Sequence, residues 1–154
     1  MKIAVFKESR SGENRVAISP QVCTSLQKMG FEVWVEKDAG KSAHFTNEMY
    51  ELTGATVKSA ADLLSADVFV QINVPTLEKI NELPTGKIWI SSLYYRTNAE
   101  VIDALNKKNI AAISLDAIPR ISRAQSMDIL SSQANLAGYR AVIEGAYHLD
   151  KIFP

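Results

Sequence analysis

Lys87-Ile88-Trp89-Ile90-Ser91, then Asn98 to Lys108, then Ala111-Ala112-Ile113-Ser114-Leu115: this run decides the fold. Its first and last pieces are short apolar segments of the length of one strand. The middle piece sets Val101, Ile102 and Leu105 at helical spacing, so one face turns toward a sheet. Asn98 stands where a helix cap belongs, and Lys107 and Lys108 suit the negative end of the helix dipole. Strand, amphipathic helix, strand is the unit of a parallel sheet, because parallel strands need a crossover of about this length.

The same alternation extends to both sides. Further strands are predicted at Ile3 to Phe6, Glu32 to Glu36 and Val68 to Ile72, with a weaker one at Thr56 to Val57. Helices are predicted from Ser19-Pro20 to near Gly30, from Asn47 to Thr53, from Ser59 or Ala60 to Ser65, and from Thr76 to Asn81. Ser19 is the predicted cap of the first, with Pro20 presetting the backbone at its first position. The last segment, about Ser122 to Leu149, is much longer and rich in Ala, Gly and small polar residues, as in a helix that packs closely against something. The expected fold class is α/β: an open, mostly parallel sheet with helices on both faces, flavodoxin-like or Rossmann-like, ending in a long helix.

Composition narrows the function. The 154 residues are 47% hydrophobic, enough for one ordinary domain to bury a core, and no linker is visible along them. Lys plus Arg number 17 and Asp plus Glu 17, so no net charge attracts a nucleic acid or an anionic bilayer. A single cysteine, Cys23, cannot form an internal disulfide and reads as a packed thiol in a reducing compartment, with cytoplasm as the default. No apolar stretch approaches the roughly 18 to 20 residues of a spanning helix. The charged residues after Ile3 to Phe6 do not fit a signal peptide.

Several chemistries lack their residues. The seven glycines are scattered, with no G-x-G-x-x-G or G-x-x-x-x-G-K-[ST] after a strand, so tight binding of a dinucleotide by this segment alone is not expected. His44 and His148 stand alone and Cys23 has no partner at ligand spacing, so no metal site is expected. No G-x-S-x-G turn is present. Trp34, Phe69 and Trp89 fall within strands and read as packing residues, whereas Tyr94 and Tyr95 follow a strand and can line a cleft or an interface.

The densest polar stretch runs from Pro119 to Ser132, directly after a strand, where open parallel sheets gather ligands. If the helix begins at Ser122, Gln125, Asp128 and Ser131 recur every three residues and share one side, offering an amide, a carboxylate and a hydroxyl, with Arg120 just upstream. Such a set can hydrogen-bond a carboxamide and ribose hydroxyls, which need both donors and acceptors. A structural reading is equally available. Ser122-x-x-Gln125 is a capping box, Asp128 complements a helix dipole, and Arg120 is a surface charge. In the loop after the first strand, Glu13 and Asn14 take the structural reading and Arg15 alone is kept as a weak substrate-binding candidate.

Two further stretches carry a family resemblance over nearly the whole chain. Lys7-Glu8 with Glu13-Asn14-Arg15-Val16-Ala17-Ile18-Ser19-Pro20, followed by Gly30 to Val35 and Ala39-Gly40, resembles the alanine dehydrogenase and pyridine nucleotide transhydrogenase family. Ile118 to Asp128, continuing through Ser131-Ser132, Asn135 and Ala137-Gly138-Tyr139-Arg140-Ala141, resembles its transhydrogenase α-subunit branch. That resemblance implies that residues 1–154 are the N-terminal subdomain, with the Rossmann NAD-binding subdomain absent from this chain, which then reads as a fragment. It implies a proton-translocating enzyme transferring hydride between NAD(H) and NADP(H), this piece forming one wall of the NAD(H) site. Arg120, Asp128 and Ser131 would lie around the nicotinamide, and Gln125 would reach toward the apposed NADP(H). The implied partners are a membrane component, an NADP(H)-binding component and a second copy in a homodimer. The implied location is the cytoplasmic side of the inner membrane, reached through those partners.

Two alternatives remain at this level. Alanine dehydrogenases in the family use an arginine matching Arg15, but their lysine and histidine positions read Asn73 and Tyr94 here, which removes the carbonyl-polarising and proton-donating groups. A non-catalytic assembly module docking through the long helix is the other.

Overall fold

The computed structural model describes residues 1–152; Phe153 and Pro154, the end of the chain, lie outside the described residues. It divides into two compact units, Met1–Ser114 and Leu115 onward. No Gly- or Pro-rich linker marks that division in the sequence.

The first unit is a six-stranded sheet. Its strands are β1 (Lys2–Val5), β2 (Glu32–Glu36), β3 (Thr56–Lys58), β4 (Val68–Val70), β5 (Ile88–Ser91) and β6 (Ala111–Ser114). All five pairings are parallel, in the order β3-β2-β1-β4-β5-β6. The helices are α1 (Pro20–Lys28), α2 (Asn47–Leu52), α3 (Ala60–Leu63), α4 (Leu77–Glu82) and α5 (Ala99–Lys107). This is the expected open parallel sheet, in the doubly wound order in which the connections reverse direction between β1 and β4.

Two apolar clusters lie on opposite faces of the sheet, since alternate strand residues point opposite ways. Ala4, Phe6, Trp34, Phe69 and Trp89 belong to one, with Leu63, Ile80, Leu83, Val101 and Leu105 from α3, α4, α5 and their ends. Ile3, Val5, Val33, Val35 and Val68 belong to the other, with Cys23 of α1 and Tyr50 of α2. The aromatic readings hold: Phe6 stacks on Phe69 at 5.6 Å between ring centroids and on Trp89 at 6.0 Å. The Trp34 indole donates to Glu32 Oε1 at 2.6 Å. Cys23 is fully buried, and burial pushes its thiol up to about 11, so it is a packed thiol with little thiolate character.

Helix starts depart from the sequence reading in three places. Ser19 precedes α1 but makes no side-chain capping bond, because its backbone carbonyl accepts from the Val22 and Cys23 amides. Asn98 precedes α5 and likewise makes none; its amide donates backward to the Leu93 and Tyr94 carbonyls, tying down the loop after β5. Ser122 does not open the long helix. Residues Ser122–Met127 form a 3-10 helix, and α6 runs over Ile129–His148 with Asp128 as its cap. No helix among the described residues is long and apolar enough to cross a membrane.

Candidate functional site

In the first unit, polar side chains gather where the loops after β1 and β4 diverge, the place where open α/β sheets leave a crevice. The Glu8 carboxylate, nearly buried, accepts from the Ile72 amide at 2.6 Å and from the Asn73 amide at 3.3 Å. It thereby satisfies backbone donors just beyond the end of β4. Asn73 Nδ2 bridges two carboxylates, donating to Glu8 Oε2 and to Glu13 Oε2, each at 3.0 Å. Glu13 in turn holds Arg15 by two parallel bonds, Nε to Oε1 at 2.7 Å and Nη2 to Oε2 at 2.6 Å, and also accepts from the Arg15 backbone amide.

This network corrects the picture of a solvated loop. The Glu13 side chain is only 9% exposed, while Arg15 is 51% exposed. The Arg15 guanidinium and the Asn73 amide hold the Glu13 carboxyl down to about 2, against the cost of its burial. Glu13, Glu8 and Tyr94 all favour the charged form of Arg15. Next to the cluster, Gln71 is 5% exposed; its Nε2 reaches the Lys7 carbonyl at 3.5 Å, and its Oε1 is buried with no hydrogen-bond partner among the described residues. Glu8, Gln71 and Asn73 were not singled out by the sequence; the one available signal was the Glu13-x-Arg15 spacing, which lets a carboxylate reach a guanidinium in the same loop. Tyr94 is half-exposed after β5 and adopts a left-handed backbone with φ of 45°, a conformation that costs energy for a bulky residue.

The other four candidates lie in the second unit. Asp128 is the best-fixed of them: Oδ1 accepts from the Leu130 amide at 2.9 Å and the Ser131 amide at 3.3 Å, and Oδ2 accepts from Ser131 Oγ at 2.6 Å. These bonds satisfy donors that the first turn of α6 leaves without helical partners. The Ser131 hydroxyl, the two amides and the nearby Arg120 together lower the Asp128 carboxyl below its ordinary range, so it stays an acceptor. Asp128, Ser131 and Arg120 therefore come together.

Gln125 joins them only through the backbone, its carbonyl accepting from the Asp128 amide at 3.3 Å. The expected single face of Gln125, Asp128 and Ser131 on one α-helix is not formed. Gln125 lies on the 3-10 helix, Asp128 on the junction and Ser131 in the first turn of α6. The reason is local: a carboxylate accepting three bonds at Asp128 is a stronger helix start than a hydroxyl at Ser122.

As to cofactors, the described residues show no backbone cradle for a pyrophosphate: Gly30 and Gly54, with φ of 87° and 84°, end α1 and α2. Asp128, Ser131, Arg120 and Gln125 fit the carboxamide end of a nicotinamide, offering acceptors from the first two and donors from the other two. No group of three or more His, Cys, Asp and Glu residues that could hold a metal occurs among the described residues.

The geometry can now be set beside known proteins. The model of the family described as "Alanine dehydrogenase/PNT, N-terminal domain" matches residues 4–137. The chain belongs to this family. Among its relatives in the alanine dehydrogenase/PNT family, the first of the polypeptides that make up the NAD(P) transhydrogenase subunit alpha of Rhodospirillum rubrum is 48% identical, aligned over 100% of this chain and 42% of that protein. A solved transhydrogenase structure from Sinorhizobium meliloti superposes with a TM-score of 0.94 at 40% identity, over 100% of this chain and 46% of that one. A solved L-alanine dehydrogenase gives a TM-score of 0.86 at 27% identity, over 96% of this chain and 40% of that one. This alanine dehydrogenase/PNT domain thus spans less than half the length of the proteins it matches.

Proposed function

We propose that the chain forms one wall of the NAD(H) site of a transhydrogenase, whose reaction passes hydride between NAD(H) and NADP(H). The observation that carries this reading is the Asp128–Ser131 pair at the start of α6, with Arg120 beside it. Ser131 donates its hydroxyl proton to Asp128, so toward a ligand both oxygens act as acceptors. They suit the NH₂ of a nicotinamide carboxamide, while the Arg120 and Gln125 side chains supply donors for its oxygen or for ribose hydroxyls. Four side chains of mixed polarity fix the orientation of an amide better than a set of cations would.

NAD(H), when bound, supplies the hydride chemistry, and the chain's residues supply position. Gln125, exposed on its own short 3-10 helix, is assigned to the side that faces NADP(H). The pyrophosphate is assigned to a Rossmann subdomain of the kind found in the family, outside these residues. The membrane and NADP(H)-binding components, a second copy of the subunit, and attachment to the cytoplasmic side of the inner membrane belong to the same proposal. It is supported by the greater similarity to transhydrogenase sequences and structures than to alanine dehydrogenase. It is also supported by Asn73 and Tyr94, neither of which carries a cation for polarising a carbonyl.

The test is Asp128→Asn in a subunit that carries the remaining length of the family, assayed with its partner components. The expected result is a slower single-turnover hydride transfer with a smaller change in NADH affinity. Equal losses in both, or NADH oxidation that depends on pyruvate and ammonia, would sink the assignment.

A further inference from the structure

We propose that Glu13 is a built-in carboxylate that occupies the Arg15 fork and closes the crevice between β1 and β4 to small carboxylate ligands. A guanidinium recognises a carboxylate best through two parallel bonds, and here Nε and Nη2 already make them to Glu13. The occupant is pinned. Its Oε2 also accepts from Asn73 Nδ2, which is itself anchored on Glu8, and Glu8 is anchored on the Ile72 and Asn73 amides. An incoming carboxylate must therefore displace a group tethered two residues away, which competes at an effective concentration of about millimolar or more.

Charge points the same way. The groups that face Arg15 are Glu13, Glu8 and Tyr94, so the guanidinium is already matched by carboxylates. Arg10 is the other nearby cation, but it is exposed and reaches only Asn73 Oδ1, at 3.5 Å. The buried Gln71 Oε1 adds one more acceptor and no donor. A ligand anion entering here would lose water and meet two fixed negative groups. Glu13 is thus the residue that sets what this crevice refuses, and it does so whether or not the hydride-transfer proposal is right.

The experiment needs no nucleotide. The ¹⁵N-labelled chain is titrated with pyruvate, and separately with oxalate, while the Arg15 Nε–H resonance is followed by NMR. The native chain is expected to show no saturable shift up to tens of millimolar. Glu13→Ala is expected to bind at least about tenfold more tightly than native, as expected for a recovered charge-assisted pair. Adding Arg15→Met should abolish that gain. Glu13→Gln, which keeps the side-chain shape, provides an intermediate gain and serves as the readout if the alanine variant does not fold. Native binding as tight as that of the Glu13 variants overturns the proposal, and so does a folded variant that binds no better than native.

Discussion

Tyr50→Phe removes one oxygen, and its effect follows from three neighbours. The Tyr50 side chain is 1% exposed and its hydroxyl donates to the Ile18 carbonyl at 2.9 Å across 32 residues. Burial pushes the phenol up to about 12, so it is a neutral donor at any working pH. The ring itself stays in place: it meets Phe45 edge-on, 6.4 Å between centroids, and fills the space over Gly40. What changes is Ile18, which is 8% exposed and loses its donor. An unsatisfied buried carbonyl costs about 1–3 kcal/mol, which sets the expected loss in urea unfolding. Because Ile18 ends the loop that carries Glu13 and Arg15, amide exchange in residues 13 to 18 should quicken along with the global loss. A variant as stable as the native chain, with unchanged exchange, would show that water reaches the Ile18 carbonyl and that the Tyr50 bond does not anchor the loop.

Two other outcomes are expected. Asp128→Ala should quicken amide exchange at Leu130 and Ser131, whereas Asp128→Asn should not, since asparagine caps as well as aspartate and differs mainly in charge; equal fraying in both would show that the charge, not the capping geometry, holds the start of α6. Glu13 titrates at about 2 against an ordinary 4.5, so its contribution to stability is full above the ordinary value and is lost as pH falls from there through about 2. Urea midpoints measured across that window should drop less steeply in Glu13→Gln than in the native chain.

The sheet was legible because its signal is periodic. Val33 and Val35 alternate with Glu32, Trp34 and Glu36, and Val101 with Leu105 marks a helix face, so every strand and most helices appear within a residue or two of their predicted positions. Helix starts were less legible, because a capping residue type announces only a capacity to hydrogen-bond. Asn98 spends its amide on the loop behind it, and Ser19 leaves the work to its own carbonyl. At Asp128 the competition between two possible starts is settled by three simultaneous bonds, which no single residue type reveals. The Arg15 cluster was the least legible part. Its partners Glu8 and Asn73 are 65 residues apart, brought together only by the pairing of β1 with β4.

That pairing has a consequence for synthesis. The first strand to leave the ribosome ends in the middle of the sheet, flanked by β2 and β4. Until Val68–Val70 has emerged, the β1-β2-β3 half carries β1 as an open edge, its Ile3, Ala4 and Val5 uncovered by any charged or proline gatekeeper. The nascent chain therefore passes through a stage in which its most buried strand is its most adhesive one, and the loop bearing Glu8, Glu13 and Arg15 acquires its partner Asn73 only when that stage closes.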